Sequence, residues 1–132
     1  MKKVLVIEDD PIVGTVYKRF LEAHGLAVEI ATDGAKGLDQ LPAYRPDAVI
    51  LDLMLPKVGG IAVLMTLRAQ EAYRELPIIV LTNASVPAFI EQALQAGANY
   101  VFDKAKDPPT AILAGLQRLL DYSPAKPVAF TN

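Results

Sequence analysis

Four apolar runs in this chain each end on a polar residue able to do chemistry. Val4-Leu5-Val6-Ile7 leads into Glu8-Asp9-Asp10, and Ala48-Val49-Ile50-Leu51 leads into Asp52. Pro77-Ile78-Ile79-Val80-Leu81 leads into Thr82, and Tyr100-Val101-Phe102 passes through Asp103 into Lys104. If Glu8, Asp9 and Asp52 meet, they repel: two unit charges about 4 Å apart are unfavourable by roughly 4 kcal/mol at an effective dielectric of about 20. Such a cluster needs raised pKa values or a cation. With oxygen donors alone the fitting ion is hard, Mg²⁺ or Mn²⁺ in its place. Mg²⁺ keeps waters and binds through one or two carboxylates plus phosphate oxygens, which points to phosphoryl chemistry. A carboxylate can itself accept the phosphoryl group as an aspartyl phosphate. Lys104 would add a point charge and Thr82 a hydroxyl donor.

Taken singly, each residue has an ordinary reading. Glu8, Asp9 and Asp10 could be solvated loop acids capping a helix, threonine is common in strands, and most lysines are surface solubilisers. Asp52 is harder to dismiss, because a carboxylate closing an apolar strand is rarely buried without a partner. The joint placement, one at each of four strand ends, carries the argument.

The elements that must position these residues alternate strand and helix five times. Short β-branched runs read as strands buried on both faces, the mark of a parallel sheet covered by helices. The strands are expected at Lys3 to Ile7, Ala27 to Ala31, Ala48 to Leu53, Ile78 to Leu81 and Tyr100 to Phe102. The first helix starts near Pro11, capped by Asp9 or Asp10, and ends at His24-Gly25. Its stripe reads Ile12, Val16 and Phe20 with Val13, Tyr17 and Leu21. A short helix runs from Gly34 or Ala35 to Leu41 and stops before Pro42; a third spans about Gly60 to Gln70. The fourth covers Pro87 to Ala96 and the fifth Pro109 to near Leu120. Right-handed crossovers would make this an α/β, doubly wound, five-stranded parallel sheet with helices on both faces. Sites in such sheets lie at the carboxyl edge of the strands, where strand order reverses.

One domain of residues 1–121 is expected, with 122–132, which carries Pro124 and Pro127, as a tail or linker stub. Hydrophobic residues make up 52% and charged ones 21%, so a packed core is expected. A formal charge of −2 argues against a nucleic-acid-binding module. The absence of Cys excludes disulfides, thiolate metal sites and cysteine nucleophiles. The first apolar run breaks at Glu8, too short for a signal-peptide core or a membrane span, so a cytoplasmic location is the expectation.

Over roughly residues 2 to 120 the chain resembles the receiver domain of bacterial two-component response regulators. The resemblance rests on Val4-Leu5-Val6-Ile7-Glu8-Asp9-Asp10-Pro11, Leu21-Glu22-Ala23-His24-Gly25 and Ala31-Thr32-Asp33-Gly34. It continues through Arg45-Pro46-Asp47-Ala48-Val49-Ile50-Leu51-Asp52-Leu53-Met54-Leu55-Pro56 with Gly60, then Leu76 to Thr82, Ala96-Gly97-Ala98 and Lys104. It implies the flavodoxin-like strand order 2-1-3-4-5 and Asp52 as phosphoacceptor, loaded from phosphohistidine of a sensor kinase or phosphotransfer protein or from a small acyl phosphate. It implies Mg²⁺ held by Asp9, Asp52 and the backbone carbonyl of Met54, with Glu8 acting directly or through water. Lys104 would pair with the carboxylate or phosphoryl group, and the Thr82 hydroxyl would turn toward the phosphoryl. A downstream protein would dock on the face of helix four, strand five and helix five. Such a module catalyses only its own phosphorylation and dephosphorylation.

The chain departs from the family in several places. Val101 fills the slot of the usual aromatic three positions before the lysine, and Tyr100, one residue earlier, should face the other side of the sheet. Ala105 replaces the proline after the lysine, where the family usually has a cis peptide, and Asn83 replaces a small residue beside Thr82. Met54 and Ala84 offer no acid or amide to orient a hydrolytic water, so a phosphorylated state lasting minutes to hours is expected. Phe89 is expected in the core beside Ile90, Ala93 and Leu94, with an exposed docking anchor beside strand five and Lys106 as its alternative, and Arg68, Arg74 and Arg118 are expected on solvated helix faces. His24 is expected only to favour a helix C-terminus.

Competing readings remain. An aspartate-nucleophile phosphatase would carry a second Asp two residues after the nucleophile, where Met54 stands. Dinucleotide binding would need a glycine-rich turn where Glu8-Asp9-Asp10 sits. A receiver-like scaffold acting without phosphorylation stays open because of Val101 and Ala105. The protein reads as a stand-alone receiver, or as a receiver cut from a longer chain.

Overall fold

A computed structural model of the protein describes residues 1–83 and 86–121. The strands are β1 (Lys3–Ile7), β2 (Ala27–Ala31), β3 (Ala48–Asp52), β4 (Ile78–Thr82) and β5 (Tyr100–Asp103). They form one parallel sheet in the order β2-β1-β3-β4-β5. Between and after them lie α1 (Pro11–Ala23), α2 (Gly34–Tyr44), α3 (Gly60–Arg68), α4 (Pro87–Gln95) and α5 (Pro109–Asp121). The doubly wound α/β architecture expected from the alternation is the one observed, and β1 and β3, which flank the order reversal, sit side by side.

Side-chain alternation along the strands divides the core in two. Leu5, Ile7, Val49, Leu51, Ile78 and Val80 point toward α2, α3 and α4. Val4, Val6, Ala48, Ile50, Ile79 and Leu81 point toward α1 and α5. β1, β3 and β4 are apolar on both faces because helices cover both. Residue parity also settles the aromatics of β5. Tyr100 and Phe102 pack under α5, whereas Val101 packs on the α4 side.

Several local expectations are corrected. α2 runs through Pro42 to Tyr44. Proline removes a single N–H from the ladder, and the helix ends two residues later at Tyr44, after which Arg45 adopts a left-handed conformation (φ 54°) and its N–H bonds Leu41 O. α3 ends at Arg68, and a short 3₁₀ turn, Glu71–Tyr73, follows. α1 is rotated from the stripe read in its sequence. Gly14, Tyr17 and Leu21 are buried, while Ile12 and Val16 are 75% and 53% exposed. The three-and-four spacing of 14, 17 and 21 is an equally good helical face, and Gly14 brings that side close to Ile30.

Arg68 is no solvated charge. Its guanidinium donates to Gly97 O at 3.0 and 2.8 Å, to Tyr73 O at 2.7 Å and to Asn99 Oδ1 at 3.2 Å. It ties the end of α3 to the turn before β5, and burial lowers its pKa. Phe89 is 41% exposed and Leu94 47%, because α4 turns chiefly Ala93 into the core. Residues 122–132 and Ala84 lie outside the described residues.

One glycine fixes the approach of a helix to the site. A Cβ on Gly60 would stand 2.5 Å from Asp52 O and 2.6 Å from Leu53 Cα, both backbone atoms that cannot rotate away. Gly60→Ala is therefore expected to lower stability by about 1–3 kcal/mol, the range for overpacking. Urea midpoints check this; an unchanged midpoint would show that the backbone after β3 yields freely.

Candidate functional site

The register of the sheet brings the four polar strand ends together. Ile7 pairs with Leu51 and Asp52 with Leu81, so Glu8, Asp52 and Thr82 follow one another along the carboxyl edge. Thr82 pairs with Asp103, and the Lys104 N–H donates to Thr82 O at 2.8 Å. Glu8, Asp52 and Thr82 are 2%, 3% and 1% exposed, so these are buried polar groups at the end of an apolar sheet. They line or adjoin a cleft of about 460 Å³ whose rim includes Asp9, Met54, Asn83 and Ala105.

Lys104 is the hub. Its ammonium lies 2.5 Å from Glu8 Oε1 and 3.2 Å from Asp52 Oδ2. Both contacts are ion pairs, and that with Asp52 is also a hydrogen bond. Asp52 Oδ1 accepts the Met54 N–H at 3.0 Å, which aims the carboxylate and shapes the loop after β3. Glu8 Oε2 accepts the Asp10 N–H at 3.1 Å. Asp10, not Asp9, caps α1, accepting from Ile12 N at 2.9 Å and Val13 N at 3.4 Å. That leaves the exposed Asp9 carboxylate for the cleft, where Glu8, Asp9 and Asp52 each offer an oxygen within 4.8 Å of the others.

The electrostatics follow from burial. Glu8 is pushed up to about 7, first by desolvation and further by the Asp52 charge, with the Lys104 contact pulling against it. Burial alone would lower Lys104, but the Glu8 contact and then the Asp52 charge overcome it and raise its pKa. One cation held against two buried carboxylates leaves a net negative cleft, which fits an incoming divalent cation.

Asp103 and Asp107 belong to the scaffold of the site, and their roles were not apparent in the sequence. Asp103 Oδ1 accepts the Ala105 N–H at 2.7 Å and the Lys106 N–H at 3.2 Å. Asp107 Oδ2 accepts the Asp103 N–H at 2.7 Å. These bonds close the turn that presents Lys104. Proline in place of Ala105 would have no N–H to give, so the departure from the family pattern is used by the turn. No peptide bond among the described residues is cis. An aspartate two residues before a loop position is the available sequence signal, but it is common in turns.

His24 stays structural. Its ring lies tilted against that of Phe20, the centroids 4.6 Å apart, with Nδ1 2.9 Å from Phe20 O.

The family model for the response regulator receiver domain matches residues 4–115. The chain belongs to that family. The receiver domain of two-component response regulators is a phosphoacceptor module of signal transduction, and this chain has its fold. The response regulator MprA of Mycolicibacterium vanbaalenii is 39% identical over 97 residues, 74% of this chain and 41% of that protein. The chain thus spans about two fifths of the length of the curated relatives it matches. The chemotaxis protein CheY4 of Vibrio cholerae superposes with a TM-score of 0.84 at 30% identity, covering 91% of this chain and 99% of that one. The beryllofluoride-activated N-terminal receiver domain of Klebsiella pneumoniae RstA gives 0.85 at 31% identity, covering 92% and 100%. No helix among the described residues is long and apolar enough to cross a membrane.

The raised Glu8 has a consequence for the metal-free protein. Folding raises this carboxyl from 4.5 to about 7, so the folded state binds more protons between those values. The contribution is full below about 4.5 and is lost as pH rises through about 7. In chelator, the stability difference between wild type and Glu8→Gln should therefore shift against wild type as pH rises across that window. Urea titrations at several pH values read it, and parallel curves for the two proteins would contradict it.

Proposed function

We propose that Asp52 is the phosphoacceptor, charged by phosphohistidine of a sensor kinase or phosphotransfer protein or by a small acyl phosphate. Its carboxylate carries the reading. It is buried at the floor of the cleft, one oxygen facing the Lys104 ammonium at 3.2 Å and the other fixed by the Met54 N–H at 3.0 Å. An oxygen of Asp52 attacks phosphorus while the bond to the imidazole nitrogen or acyl oxygen breaks, and the leaving group departs with that electron pair. Lys104, already paired with the carboxylate, shifts its charge onto a phosphoryl oxygen. The Thr82 hydroxyl, one strand over at the same edge, then donates to the phosphoryl group.

Mg²⁺, or Mn²⁺ in its place, suits the donor set, since the three carboxylates that converge offer oxygen only. Asp9, Asp52 and the backbone carbonyl of Met54 would hold it, with Glu8 directly or through water. Bound there, such an ion would neutralise charge on the phosphoryl oxygens. Lys104 meanwhile keeps Glu8 and Asp52 from facing each other unscreened.

Two surfaces serve partners in this reading. Ile12 and Val16, exposed on α1 next to the acidic loop, offer a phosphodonor protein an apolar seat. Movement of Thr82 acts on the segment leading to α4, where Val86, Phe89 and Leu94 are exposed, and so on a downstream partner at the α4, β5 and α5 face. With Val101 in the aromatic slot, that movement works without an aromatic rotamer change. Residues 1–121 form the receiver unit and 122–132 the tail or linker, and the chain catalyses only its own phosphorylation and dephosphorylation. A scaffold acting without phosphorylation would have no use for two carboxylates buried around one lysine, which makes it the weaker reading.

Incubation with Mg²⁺ and acetyl phosphate should add the mass of one phosphoryl group to wild type and none to Asp52→Asn, read on intact protein. Equal gain by both, or by neither, would reject Asp52 as acceptor. Exposed Met54 supplies no acid or amide to a hydrolytic water, so the aspartyl phosphate should persist for minutes to hours. Loss of radiolabel timed after donor removal checks this, and decay within seconds would reject it.

A further inference from the structure

Tyr17 sits on α1 with its ring in the apolar core between α1 and the sheet, beside residues such as Leu21, Val28 and Leu81. It is 6% exposed, yet it forms part of the wall of the acidic cleft together with Asp52 and Lys104. A buried tyrosine ordinarily finds a partner for its hydroxyl. Among the described residues, that of Tyr17 has no hydrogen bond, and it is not one of the side-chain atoms sealed from solvent without a hydrogen bond. The hydroxyl therefore keeps access to solvent, on a residue that forms part of the cleft wall. Leucine or isoleucine would fill an apolar core position as well, so the oxygen is the feature that packing does not explain.

We propose that the Tyr17 hydroxyl is a further hydrogen-bond donor of this site, directed at the phosphoryl oxygen that faces Lys104. This rests on Asp52 being the phosphoacceptor. A ring locked by core packing holds its donor in place before the reaction begins, the condition under which a donor aids charge transfer. Tyr17 and Lys104 line the same cleft, and of the charges that act on Tyr17 that of Lys104 is the strongest, ahead of Glu8 and Asp52. Burial raises its pKa, so the phenol keeps its proton and can donate to an anion. Donors on both α1 and the β5–α5 turn would then grip one phosphoryl group from opposite walls.

Tyr17→Phe keeps the ring and removes only the oxygen. With acetyl phosphate and Mg²⁺ it should acquire the phosphoryl group about tenfold more slowly than wild type, with a similar loss of beryllofluoride affinity. Its urea midpoint and its Mg²⁺ affinity should match those of wild type. Tyr17→Leu, which removes the ring as well, should show the same slow phosphorylation together with a lower midpoint. Rates for Tyr17→Phe within twofold of wild type, or slowing seen only in Tyr17→Leu, would overturn the proposal and leave Tyr17 a packing residue. Failure of wild type itself to gain mass, with Asp52→Asn as the reference, would instead strike the acceptor assignment beneath it.

Discussion

Negative charge concentrated at the carboxyl edge of a parallel sheet is the constraint on which this molecule turns. Glu8 and Asp52 are taken almost wholly out of water and share a single ammonium, that of Lys104, while Asp9 stands at their side. Two buried carboxylates against one cation leave an excess of charge that burial amplifies. The protein answers in part by raising Glu8 to about 7. The remainder is an invitation to a cation, and with it to a phosphoryl group. A fold that only had to be stable would gain nothing from this arrangement.

The rest of the structure holds those few atoms in place. Apolar runs in β1, β3 and β4 set the register that lines up Glu8, Asp52 and Thr82. The Met54 N–H orients the Asp52 carboxylate, and Gly60 lets α3 close against the backbone of Asp52 and Leu53. On the far side, Asp103 and Asp107 tie the turn that carries Lys104. Arg68 anchors the α4 to β5 turn through the Gly97 carbonyl.

What could be read from the sequence was governed by range. Continuous β-branched runs identify strands because burial on both faces demands them, and all five strands lie where those runs are. The converging polar strand ends were equally legible, since parallel strands must finish on the same edge. Contacts made across the fold were not. Arg68 looks like any helix-end cation until Gly97, Tyr73 and Asn99 are found around it. The rotation of α1 could not be chosen from hydropathy, because the 12, 16, 20 half of its stripe and the 13, 17, 21 half are both helical faces, and packing on the sheet buries Tyr17 and Leu21 while leaving Ile12 and Val16 exposed. Pro42 suggested a helix end but lies one turn before it, where a single missing N–H is tolerated. For Phe89 patterning left core and docking surface both open, and only the turn of α4 against the sheet shows it exposed.

The central claim is that a divalent cation and a phosphoryl group complete the charge balance that Glu8, Asp9, Asp52 and Lys104 leave open. A crystal grown with Mg²⁺ and beryllofluoride tests it most directly. The account predicts the metal among the oxygens of Asp9, Asp52 and Met54, beryllofluoride on Asp52, and the Lys104 ammonium and Thr82 hydroxyl turned toward the fluorides. Electron density showing Asp52 bare, with no metal beside it, would contradict the account.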